Sequence, residues 1–151
     1  MKLKLILFFA VLGTALTHEG FAENRPAADA QTVINEFAES HMNTDAARLE
    51  KILSSDAILK FSRGDEVQSQ NLLSILKTMR QNQGIEQNCS TKVDILAGSD
   101  ALVLARVNFI YDNFTVQNYL TLEKNKSQNW KITRIDKFFT EGDSPSVLTK
   151  E

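Results

Sequence analysis

The sequence predicts an α+β domain: three amphipathic helices with a short hairpin among them, then four long antiparallel strands whose bent sheet packs its apolar face on the helices. Apolar residues recur at three- and four-residue spacing in the first half, and from Thr91 onward the period changes to alternation. Turn signals at Gly98-Ser99-Asp100, Asp112-Asn113 and Asn125 to Asn129 divide the alternating half into long segments, which antiparallel hairpins connect most simply.

The chain opens on an address. Met1 to Lys4 carries two lysines, and Leu5 to Leu12 is an unbroken apolar run, too short to cross a hydrocarbon layer that takes about 20 such residues. Gly20 and Ala22 flank Phe21 in the small-residue pattern that signal peptidase accepts, so residues 1–22 read as a signal peptide cleaved after Ala22. The expected product is periplasmic or secreted, with no membrane attachment after cleavage. Residues 23–140 form the domain, and 141–151 are a polar, loose tail.

Cleavage removes Lys2, Lys4, His18 and Glu19, leaving 15 basic against 18 acidic side chains, one histidine (His41) and one cysteine (Cys89). That inventory excludes two-histidine zinc sites, CxxC redox pairs and intramolecular disulfides, and no metal or cofactor is expected. Lys and Arg are scattered rather than gathered, so there is no electrostatic footprint for nucleic acid.

In the first helix, from about Ala27 to Met42, Ala30, Val33, Ile34, Phe37, Ala38 and His41 share one face. Asn43 or Thr44 caps a second helix with Asp45 in its first turn and Leu49, Ile52 and Leu53 as its stripe, and Ser54-Ser55-Asp56 ends it. Ala57 to Phe61 and Glu66 to Ser69 make the short hairpin around Ser62-Arg63-Gly64-Asp65. A third helix carries Leu72, Leu73, Leu76 and Met79 and stops near Gly84. The four strands are Thr91 to Ala97, Ala101 to Asp112, Thr115 to Lys124 and Trp130 to Phe139.

The run INEFAESHMNTDAARLEKILSSDAIL (Ile34 to Leu59), with GSDALVLARV (Gly98 to Val107), NYLTLEK (Asn118 to Lys124), WKI (Trp130 to Ile132) and KFF (Lys137 to Phe139), resembles the nuclear transport factor 2-like superfamily. That superfamily includes SnoaL-like proteins and an exported bacterial branch labelled lumazine-binding. The resemblance implies a cone-shaped curved sheet, with a pocket between sheet and helices and often a homodimer through the sheet's outer face. It is specific for fold and nearly silent about chemistry.

Strict alternation puts Val103, Ala105, Val107, Phe109 and Tyr111 on one face with Val116, Asn118, Leu120 and Leu122, and adds Trp130, Ile132, Arg134, Asp136 and Phe138 from the last strand. A one-residue slip would reverse that last contribution. The predicted ligand-binding residues are His41, Tyr111, Asn118, Trp130, Arg134 and Asp136, in a largely apolar pocket for a small hydrophobic or aromatic ligand. Blander roles fit the same residues: His41 suits the negative end of its helix, Arg134 and Asp136 neutralise each other, and Trp130 is core. The sequence therefore favours a non-catalytic binding protein over two alternatives. One is a general acid/base enzyme using Asp136 with Tyr111 or His41, and the other is a dimeric interaction module whose interior is filled by side chains.

Overall fold

The computed structural model describes residues 28–141; the predicted signal peptide and residues 142–151 lie outside the described residues. Helix α1 (Ala28–Met42) buries Ala30, Ile34, Phe37 and Ala38 along one stripe, as the 3.6-residue period requires. Asp45 is the N-cap of α2 (Ala46–Ile52) rather than a first-turn residue, and its carboxylate accepts from the Arg48 backbone N–H at 3.0 Å. Leu53 leaves the helix and opens β1 (Leu53–Arg63), so the Ser54 to Asp56 segment is strand. A two-residue turn with Gly64 at φ 62° returns the chain into β2 (Glu66–Asn71). Asn71 caps α3 (Leu72–Gln81), which buries Ile75 and Leu76 and leaves the predicted stripe residue Leu73 exposed.

The second half is a meander of β3 (Ser90–Gly98), β4 (Leu102–Ile110), β5 (Phe114–Lys124) and β6 (Trp130–Glu141). The four antiparallel pairings within it and within the hairpin include every hairpin expected from the turn signals. The expected cone of four curved antiparallel strands, however, is not what forms. All six strands belong to one mixed sheet in the order β2-β1-β6-β5-β4-β3, open at β2 and β3, neither closed nor curled. The hairpin is part of that sheet because β1 pairs in parallel with β6, Leu59 beside Ile135 and Phe61 beside Lys137. A β6 left at the edge would expose a row of unpaired backbone groups, and β1, with Leu53, Ala57 and Leu59 to bury, satisfies them.

One irregularity decides which side chains face the helices. Between Leu122 and Thr121 on β5, β6 advances from Ile132 to Arg134, so Thr133 is an extra residue, a β-bulge. Alternation restarts one residue late. Trp130 and Ile132 face inward as predicted, while past the bulge Ile135 is buried and Arg134 is exposed. The core between helices and sheet is continuous from Ala30, Ile34 and Phe37 through Val103, Val107, Phe109, Leu120, Leu122, Ile132 and Ile135. No helix among the described residues is long and apolar enough to cross a membrane.

Candidate functional site

The core is not packed solid. Between the C-terminal end of α1, α3 and the β1–β6–β5 part of the sheet lies an open-mouthed cleft of about 360 Å³, within the range that holds small ligands. Its walls are Phe37, Leu49, Leu59, Ile75, Met79, Val116 and Ile135. The partly exposed rings of Phe114 and Phe139 also line it, and Phe114 stacks on Tyr111 with centroids 4.5 Å apart.

Besides Gln70, Thr78 and Asn82 at its rim, polar groups enter from four places. His41, one residue before the end of α1, lies against Phe109 with ring centroids 3.9 Å apart and the planes tilted by 35°. Its imidazole is pushed down to about 4 by burial, and the Lys137 ammonium adds to the shift, so it is neutral at pH 7. Lys137 comes from β6 directly opposite Asn118 of β5, and burial lowers its pKa as well. Asn118 is 1% exposed; its amide donates a long bond of 3.5 Å to the Val107 carbonyl, and its Oδ1 has no partner among the described residues.

The fourth group is a connected chain at the end of the cleft. The Tyr111 hydroxyl donates to Gln87 Oε1 at 3.0 Å, Gln87 Nε2 donates to Thr44 Oγ1 at 3.3 Å, and Thr44 Oγ1 donates to the Ile85 carbonyl at 2.5 Å. Burial pushes the Tyr111 phenol up to about 12, with the neighbouring Cys89 thiol contributing, so it stays protonated at neutral pH. Among the described residues no Asp or Glu lines this cleft. The titratable groups that line it are His41, Lys137 and Tyr111, set among apolar contacts and hydrogen-bonding amides and hydroxyls.

Of the residues singled out from sequence, the cleft brings together His41, Tyr111 and Asn118. Arg134 and Asp136 are corrections. The Thr133 bulge turns both to the opposite face of the sheet, where they form a bidentate pair at 2.7 and 2.9 Å beside Tyr119 and Phe138. Facing the helices, the pair would have needed desolvation that Ile135 does not. Trp130 is 3% exposed at the other end of the sheet, beside Asp29, Thr32 and Val33 of α1, and does not line the cleft.

Strict alternation also hides Lys137 and Phe139, which the bulge turns inward. The signal was present in the spacing: Trp130, Ile132 and Ile135 step by two and then by three, which marks a skipped register. Thr44, Gln87 and Phe114 lie outside the regular runs that pattern reading weighs.

A family model described as "Putative lumazine-binding" matches residues 25–140. No curated protein matches the sequence. Among solved structures, a nuclear transport factor 2-like protein of unknown function from Silicibacter pomeroyi superposes with TM-score 0.64 at 12% identity, covering 74% of this chain and 93% of that one. One from Methylobacillus flagellatus gives 0.63 at 15%, covering 74% and 89%. A ketosteroid isomerase-like protein from Erwinia carotovora atroseptica gives 0.60 at 11%, covering 81% and 99%. At such identities the likeness is one of fold: this is a nuclear transport factor 2-like fold with a cavity between helices and sheet.

Proposed function

The chain belongs to that "Putative lumazine-binding" family, and from this premise we propose that it is an exported binding protein whose cleft holds a small hydrophobic or aromatic molecule without transforming it. The observation that carries the reading is the cleft itself: about 360 Å³, open, walled by aliphatic and aromatic side chains, and free of carboxylates among the described residues. Such a lining can desolvate and orient a ligand, and it holds no carboxylate, among the described residues, to act as the base of the carboxylate-dependent alternative.

The same reading includes a second copy of the chain on the sheet's open face. Leu104, Tyr119 and Phe138 form an apolar strip there, flanked by the Asp94–Arg106 and Arg134–Asp136 ion pairs. Charges of both signs around an apolar centre are self-complementary under a two-fold axis. One experiment addresses every part. Native mass spectrometry of the protein purified from its host is expected to show a chain beginning at Glu23, a doubled mass and a bound small molecule. A ligand-free spectrum, together with no uptake of the neutral fluorophore N-phenyl-1-naphthylamine, would remove the binding function. A monomer or a retained leader would remove the dimer or the export.

A further inference from the structure

Building on the binding reading above, we infer that the cleft selects a small organic anion: an apolar, ring-sized body bearing one carboxylate-type group, with the acid held by Lys137. The argument begins with what surrounds that lysine. Its two cross-strand neighbours are Asn118 on β5 and Phe61 on β1, an amide and a ring, with Cβ atoms expected about 5 Å away. The other titratable groups near it in the cleft are His41 and Tyr111, and Cys89 stands behind Tyr111. Neither His41 nor Tyr111 carries a negative charge at neutral pH. Among the described residues no ion pair includes Lys137 and no acidic side chain lines the cleft.

A cation partly withdrawn from water without a counter-ion is costly, and proteins ordinarily pair it. On the other face of the sheet even the partly exposed Arg106 and the half-exposed Arg134 each hold an aspartate at 2.7 Å. The counter-charge missing at Lys137 is what an anionic ligand brings. Asn118 Oδ1, buried and unpartnered in the same cleft, is an acceptor that a carboxylate cannot serve; it asks for a donor elsewhere on the ligand, such as a hydroxyl. The anion preference is local, because the protein as a whole carries a net charge of −2 and repels anions at long range. The aromatic walls fix the rest of the ligand: Phe37, Phe114 and Phe139 suit a flat apolar body.

The test compares 2-naphthoate with its neutral near-isostere 2-naphthamide by calorimetric titration at pH 7 against the wild type, Lys137→Met and Lys137→Arg. The wild type is expected to prefer the acid by about tenfold or more, as a charge-assisted contact implies. Lys137→Met should lose that preference while still taking up the amide, which shows that the cleft is intact, and Lys137→Arg should keep it. Equal or better binding of the amide by the wild type overturns the anion inference and leaves the binding function standing. So does an acid preference that survives Lys137→Met. Uptake of neither compound overturns both.

Discussion

The two faces of the sheet treat charge in opposite ways. On the open face two arginines each have a carboxylate at hydrogen-bond distance, Arg106 with Asp94 across β4 and β3, and Arg134 with Asp136 along β6. On the helix-covered face Lys137 and His41 stand together without an acid, and both are pushed toward their neutral forms by burial. The faces are one backbone thickness apart and alternate residue by residue, so the contrast is a matter of register rather than of composition. Paired charges hold a surface; unpaired ones in a cleft define what can enter it.

The largest expected effect follows from setting charge against the sorting of β6 between the two faces. Exchanging two neighbours, Arg134→Ile with Ile135→Arg, would place a guanidinium at the position that the Thr133 bulge turns inward. The expected loss exceeds about 4 kcal/mol, because an unpaired charge would replace a fully buried isoleucine. Urea denaturation checks it, and a variant as stable as the wild type would contradict the register described above.

Next in size is the acid response of the covered face. Unfolded His41 takes up a proton near 6.5, whereas folded His41 does so near 4. Between those values the unfolded chain binds more protons, so the contribution of His41 to stability rises with pH and is lost on acidification through that window. The loss amounts to roughly 3 kcal/mol once the pH is below 4. Comparing denaturation of the wild type and His41→Gln at pH 7 and pH 4 isolates it from carboxylate titration. Parallel pH profiles would assign the acid sensitivity elsewhere.

The smallest effects sharpen the comparison most. Lys137→Met removes an unpaired, half-buried cation while keeping its aliphatic length, and should stabilise the ligand-free protein by about 1 kcal/mol. Asp136→Asn, one position away on the other face, breaks a partly solvated pair and should cost less than about 1 kcal/mol. Opposite signs from adjacent residues, read by thermal denaturation, are the signature of the two-faced arrangement.

Much of this architecture was legible in the sequence, because the helical stripe through Ile34 and Phe37 and the alternation from Val103 to Leu122 each follow a single period. His41, Tyr111 and Asn118 were reachable because they sit on those regular runs. What escaped depends on non-local pairing or on broken periods. The parallel contact of β1 with β6 joins segments more than seventy residues apart, and nothing local announces it. The Thr133 bulge interrupts alternation in mid-strand, so a rule that carries Trp130 correctly inward carries Arg134 and Asp136 to the wrong side. Leu73 shows the same lesson in a helix: two adjacent leucines cannot share one stripe, and Leu72 and Leu76 occupy it.

Thr44 closes the end of the cleft in a left-handed conformation, φ 48°, that a β-branched residue adopts only under constraint. Its hydroxyl is tied to Ile85 and to Gln87, and through Gln87 to Tyr111, so this wall is assembled by folding itself. Ordering that a softer pocket would undergo upon capture is here complete beforehand. A guest consequently meets a preorganised surface, and the conformational entropy of that wall is already spent before it arrives.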